Sequence, residues 1–188
     1  MKDTVSIIFG DSISYGLYDK ESLGWVNRVR LNLNNTHYIF NLAIPGQSSK
    51  DILIKFETEL KNRYNDFDNF KLIFAFGIKD ALLLNKDNNH INIFKENVFK
   101  IIEISKKYTE DINFIGLIKP DFNIRREYNL EYVITIDNTL EEICKNNNLN
   151  YIKLMDLINN DELTDGLHPN SIGHKKISDR IFNSIYEV

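Results

Sequence analysis

Residues 4–16 read Thr-Val-Ser-Ile-Ile-Phe-Gly-Asp-Ser-Ile-Ser-Tyr-Gly. An apolar run from Val5 to Phe9 ends abruptly in Gly10-Asp11-Ser12, and a second glycine, Gly16, follows soon after. The run is nearly continuous rather than alternating, as in a strand buried on both faces of a sheet. The turn after it places a small residue, an acid and a hydroxyl at the strand's carboxyl end. Either this is an ordinary exit from a strand, or the turn exists to present Ser12.

Four further apolar runs, rich in Ile, Phe and Val, stand at Tyr38–Ala43, Leu72–Phe76, Ile112–Ile118 and Tyr151–Leu157. Helical spacing fills the gaps between them. Trp25, Val26, Val29 and Leu33 share a face, as do Ile52, Leu53, Phe56, Leu60 and Tyr64. The same period recurs in Phe94, Val98, Ile101 and Ile102, in Val133, Ile136, Leu140, Ile143 and Cys144, and in Ile172, Ile177, Ile181 and Ile185. Ser48-x-x-Asp51 predicts a capping box at the second helix, and Asn170 or Ser171 a cap at the last. Strand and helix alternate throughout, which predicts an α/β fold: a five-stranded parallel sheet between helix layers. Residues 1–188 are read as a single domain, without repeat or linker.

Composition narrows the function. Among 188 residues, 43% are hydrophobic and 27% charged, which suits a chain with a substantial core. The net charge of -4 and the lack of a basic stripe argue against a nucleic-acid partner. No apolar run is long enough to span a bilayer, and nothing near Met1 resembles a signal peptide, so a cytoplasmic protein is expected. The single cysteine, Cys144, sits in a helical pattern and reads as a buried thiol. No His/Cys cluster has metal-ligand spacing, and neither metal nor cofactor is expected.

In open α/β sheets, sites lie beyond the carboxyl ends of the strands. Four turns there carry unusual residues: Gly10-Asp11-Ser12, Ile44-Pro45-Gly46-Gln47, Gly77-Ile78-Lys79-Asp80 and Asp165-Gly166-Leu167-His168-Pro169. A serine hydroxyl is a poor nucleophile until a base takes its proton. An imidazole is the usual base, and a carboxylate the usual holder of its tautomer. Ser12, His168 and Asp165 supply all three, with Asp165 close enough in sequence to reach the ring. Pro169 restricts His168 to extended backbone. Gly46 and Ser12 offer backbone N–H groups, and Lys79 a side chain, for a developing oxyanion. Asp11 reads as a backbone acceptor within the turn and Asp80 as the cap of a short helix at Ala81–Leu83. His37, His90 and His174 read as surface histidines.

These blocks resemble the SGNH, or GDSL-like, hydrolase family. FGDSISYG is similar to its first block, NLAIPGQSS to its second, FGIKD to its Gly-x-Asn-Asp block and DGLHPN to its last. The resemblance spans nearly the whole chain in the expected order. It implies a three-layer, flavodoxin-like α/β/α sandwich with strand order 2-1-3-4-5. It implies Ser12 as nucleophile, His168 as base and acid, and Asp165 as orienting carboxylate. The oxyanion hole would be formed by the Ser12 and Gly46 N–H groups, with Lys79 in place of the family's asparagine. The implied substrate is a small or short-chain acyl ester, such as an O-acetylated sugar, a lysophospholipid or a thioester. An acyltransferase of the same fold, and a degenerate binding module that has lost the asparagine, are the rival readings. Tyr15, Tyr18 and Phe122 are candidates for a substrate-facing wall, and Arg125 and Arg126 for contact with an anionic substrate.

Overall fold

The computed structural model describes residues 3–64 and 69–187. Its five strands are β1 (Thr4–Gly10), β2 (His37–Asn41), β3 (Asn69–Ala75), β4 (Ile112–Ile115) and β5 (Asn150–Ile152). They form one parallel sheet in the order β2-β1-β3-β4-β5, as the resemblance implies. The helices are α1 (Ser12–Tyr15), α2 (Trp25–Asn32), α3 (Ser49–Lys61), α4 (Ile78–Leu84), α5 (His90–Ser105), α6 (Leu130–Asn146) and α7 (Ser171–Ile185).

The strand period of two divides the core. Val5, Ile7 and Phe9 of β1 join Leu72 and Phe74 of β3 beneath α3, α4, α5 and α6. Ile8 and Ile73 point the other way, into a second cluster with Trp25, Val26 and Val29 of α2 and Ile177, Ile181 and Ile185 of α7. All seven residues of β1 are buried, so its continuous apolar run is explained by helices on both faces. Ser6 is the polar exception within it, and accepts a hydrogen bond from the Tyr186 hydroxyl at 2.9 Å. A row of aromatic rings fills the first cluster. Phe9, Phe74 and Phe114 stack from strand to strand, and Phe56 meets Phe9 and Phe74 edge-on.

The elements begin and end where local chemistry directs. The Ser48–Asp51 capping box is present at α3. Asn170 caps α7 by accepting from the N–H groups of Ile172 and Gly173. Cys144 is buried, and burial pushes its thiol up to about 12.

Two expectations about the fold need correction. The sheet is shorter on one side: β4 ends at Ile115 rather than Ile118, and β5 covers only 150–152 rather than Tyr151–Leu157. The apolar residues beyond, including Leu117, Ile118 and Leu154, stay buried without pairing as strands. At the opposite edge β2 is half exposed, with Tyr38 and Phe40 facing outward. His90 and His174 are buried, not on the surface. No helix among the described residues is long and apolar enough to cross a membrane.

Candidate active site

The order 2-1-3-4-5 reverses direction between β1 and β3, and a crevice opens beyond their carboxyl ends. Asp11 follows β1 and caps α1 by accepting from the Ile13 N–H at 3.0 Å, as the sequence reading expects. The cap sets Ser12 in the first turn of α1. Gly10 must be glycine here, because a Cβ would come within 2.6 Å of the Ser14 side chain and 2.9 Å of the Ala75 carbonyl.

His168 reaches the same place from the opposite end of the chain. Its loop is a narrow hairpin: Leu163 bridges Pro169, and the Thr164 N–H donates to the His168 carbonyl at 2.8 Å. Gly166 turns the tip with φ of 79°, and its carbonyl accepts from the Asp121 N–H at 2.8 Å. His168 Nε2 then lies 2.8 Å from Ser12 Oγ. On the far side of the ring, Nδ1 lies 2.9 Å from Asp165 Oδ2 and 3.0 Å from Oδ1. Asp165 Oδ1 also accepts from the backbone N–H groups of His168 at 2.9 Å and Leu167 at 3.1 Å. Partial burial opposes the charge, but the backbone and ring N–H groups of His168 outweigh it and hold the carboxyl below its usual range. A charged acceptor therefore faces Nδ1, the arrangement that leaves Nε2 free to take a proton from Ser12.

A cleft of ≈ 370 Å³ opens over Ser12 and His168, walled by Pro45, Gly46, Ile78, Lys79, Leu82, Arg125, Tyr128 and Leu167 among others. Gly46 has φ of 79°, and a Cβ built on it would meet nothing within 4 Å, so its backbone borders open space. The N–H groups of Ser12 and Gly46 make no hydrogen bond to the protein among the described residues. Lys79 lies half-buried in the first turn of α4 and lines the cleft. Its ammonium makes no hydrogen bond or ion pair among the described residues, though its charge adds to the Ser48 hydrogen bonds that hold the Asp51 carboxyl down. The sequence-predicted Ser12, His168, Gly46 and Lys79 thus line one cleft, with Asp165 on the far side of the His168 ring.

The substrate-wall candidates are dispersed. Tyr15 borders a neighbouring cleft with Gly16, Leu23, Val26, Asn27, Arg30 and Asn41. Phe122 packs half-buried against the core and is absent from the cleft lining. Arg126 is exposed and donates to the Asn123 carbonyl.

Sequence reasoning missed two features. Arg125 donates through a terminal guanidinium nitrogen to Asp165 Oδ2, behind the imidazole. Asp80 is not a helix cap, since Gly77 occupies that position of α4. Instead the fully buried Asp80 carboxylate accepts from the Ser49 N–H at 2.9 Å, from the Ser49 hydroxyl at 2.7 Å and from His90 Nε2 at 2.9 Å. Asn97 closes the network onto Ser49 at 3.0 Å. The network ties the loop carrying Gly46 to the helix carrying Lys79. A His-Asp pair separated by ten residues, with a Ser thirty-one residues upstream, leaves no local sequence signal.

The sequence profile of the GDSL-like Lipase/Acylhydrolase family matches residues 8–176. The chain belongs to that family. This GDSL-like protein is accordingly a hydrolase of the esterase and acylhydrolase class, and its family acts on small-molecule esters. No curated protein sequence matches it. Solved structures do. A lipolytic G-D-S-L family member from Veillonella parvula superposes with a TM-score of 0.82 at 16% identity, covering 98% of this chain and 100% of that one. A lipase/acylhydrolase from Enterococcus faecalis gives 0.80 at 25% identity over 97% and 95%. A catalytic mutant of an acetylxylan esterase from Geobacillus stearothermophilus gives 0.77 at 14% identity over 99% and 97%. At 14–16% identity the likeness is one of fold. The GDSL-like fold places the cleft, and the residues within it decide the chemistry.

Proposed function

We propose that this protein is a serine ester hydrolase working through an acyl-enzyme, with Ser12 as nucleophile, His168 as base and then acid, and Asp165 as the carboxylate that orients it. The observation that carries the reading is the 2.8 Å approach of Ser12 Oγ to His168 Nε2, with Asp165 on the opposite ring nitrogen. Ser12 Oγ attacks the ester carbonyl as Nε2 takes its proton. The negative charge on the tetrahedral oxygen meets the unused N–H groups of Ser12 and Gly46 and the ammonium of Lys79. Imidazolium then protonates the departing alcohol, and water repeats the sequence to release the acid.

Lysine in place of the family's asparagine supplies a donor with a full charge on a longer stem. Its location in the cleft wall, without a protein partner among the described residues, supports a role at the oxyanion. The intact trio speaks against a degenerate binding module. Cleft size and short surrounding loops favour a small acyl group, such as the acetyl of an O-acetylated sugar, the kind of substrate named for the acetylxylan esterase of the same fold.

The test is a series of p-nitrophenyl esters from acetate to laurate, assayed with the wild type and Ser12→Ala. Turnover by the wild type alone, fastest at the short end, is expected. Equal rates for the two proteins would remove Ser12 from the reaction. Product analysis with an added alcohol separates hydrolysis from transfer: the hydrolase gives free acid, whereas an acyltransferase gives the new ester.

A further inference from the structure

Tyr18 stands in a conformation that side chains disfavour. Its φ is 66°, in the left-handed region where the Cβ crowds the backbone. Such strain persists only where the surroundings over-determine it. They do so here on both sides of the residue. The Leu17 carbonyl lies 3.1 Å from His174 Nε2. The Asp19 carboxylate, fully buried, accepts from the Ser171 hydroxyl at 2.8 Å, from Arg28 Nε at 2.8 Å and from the Gly24 N–H at 3.0 Å. Ser171 and His174 both belong to α7, which starts three residues after His168. The loop that carries Tyr18 is therefore pinned to the helix that carries the His168 hairpin.

Neither core packing nor a polar bond explains the tyrosine. The residue is 47% exposed, and its hydroxyl has no hydrogen-bond partner among the described residues. What the strained backbone does hold is the ring against His168. The ring centroids lie 5.4 Å apart, with the planes at 47°. That is within the distance over which an aromatic ring attracts a cation.

We propose that Tyr18 is a positioning residue for His168: its ring confines the imidazole with Nε2 toward Ser12 and attracts the imidazolium formed when Ser12 gives up its proton. The proposal rests on the serine hydrolase reading for its kinetic consequence, though the ring contact itself does not. Tyr18 is not among the residues lining the cleft and its contact is to the base, so the effect is expected in kcat. An attraction of this kind changes a rate by roughly two- to fivefold.

The experiment compares Tyr18→Phe, Tyr18→Leu and Tyr18→Gly with the wild type. Phenylalanine keeps the ring, and kcat is expected to stay within twofold. Leucine keeps apolar bulk without the ring, and a two- to fivefold lower kcat at unchanged KM is expected. Glycine relieves the backbone strain, so its melting temperature is expected to rise or hold while kcat falls at least as far as for leucine. A residue present for stability alone would lose both together. A readout independent of turnover is the NMR signal of the His168 ring protons, which the Tyr18 ring current displaces. Those signals should move in the leucine variant and stay in place in the phenylalanine variant. Unchanged signals in the leucine variant, a higher KM with kcat intact, or phenylalanine behaving as leucine does, each overturn the proposal. If the wild type turns over no ester, the hydrolase reading falls, and the NMR comparison still decides the Tyr18–His168 contact.

Discussion

Arg125 donates to the same oxygen of Asp165, Oδ2, that lies 2.9 Å from His168 Nδ1. The carboxylate is thus gripped from three sides: by Arg125, by the imidazole, and by the Leu167 and His168 N–H groups on Oδ1. The arginine comes from a segment that meets the His168 hairpin a second time, through the Asp121–Gly166 hydrogen bond. Two chain segments therefore set one carboxylate, and the carboxylate sets the ring.

Removing that grip tests its importance. Arg125→Ala is expected to lower kcat by roughly tenfold through misplacement of Asp165 and His168, with a smaller change in KM. Arg125→Lys is expected to recover part of the loss, because a point charge replaces a planar fork. Steady-state kinetics on a short-chain ester decide it. Wild-type kcat in the alanine variant means that the backbone N–H groups hold Asp165 unaided.

Lys79 invites a pair of substitutions. If its ammonium meets the oxyanion, Lys79→Ala should lose on the order of 10²–10³ in kcat. Lys79→Asn, which restores the family's residue, should keep or raise activity. A fall of tenfold or more in the asparagine variant would assign the lysine a task that the amide does not perform. Wild-type activity in the alanine variant would remove it from the oxyanion site.

Asp11 makes stability depend on pH in a direction opposite to that of a paired carboxylate. Burial pushes its carboxyl up to about 7, with the nearby Asp80 charge adding to the shift and the Ile13 N–H opposing it. The unfolded chain gives up this proton near the ordinary value of 3.8. Between those two values the folded state binds more protons, so its stability falls as pH rises, then levels off above about 7. Asp11→Asn keeps an acceptor for the Ile13 N–H and has no charge to bury. It should exceed the wild type in stability at about pH 8 by on the order of 2–4 kcal/mol, and match it near about pH 4. Urea denaturation at several pH values checks this, and parallel curves for the two proteins would contradict it.

The Asp80 network is expected to act on stability first. Asp80→Ala strands the Ser49 N–H and hydroxyl and the His90 ring without an acceptor. The expected loss is about 3 kcal/mol in denaturant titrations, since buried donors left unpaired each cost about 1–3 kcal/mol. A loss below about 1 kcal/mol would mean that water replaces the carboxylate.

How much of this was legible beforehand follows from where each signal lies along the chain. Val5–Phe9 and Leu72–Phe76 read as strands because both faces of each are covered and few polar residues interrupt them. Ser12, Gly46, Asp165 and His168 stand out in the sequence because each lies in a short, unusual block in a turn between a strand and a helix. The remainder depends on partners far apart in sequence. His174 looks like a surface residue of an exposed helix until the 16–24 loop folds over it. His90 is satisfied by Asp80, and Asp80 in turn by Ser49, which Asn97 holds from the far side. Arg125 reads as an ordinary loop cation until its segment docks beside Asp165. The short β5 was not legible either: Leu154 and Ile158 beyond it are apolar because they pack in the core, not because they pair in the sheet.

The central claim is that His168 makes Ser12 nucleophilic. The most direct measurement is intact-protein mass spectrometry after exposure to a fluorophosphonate, which reacts with an activated serine without needing the natural substrate. The account predicts one adduct on the wild type, mapped to the peptide holding Ser12, none on Ser12→Ala and a strongly slowed reaction on His168→Ala. A wild type that stays unmodified, or one modified equally fast without His168, would contradict it.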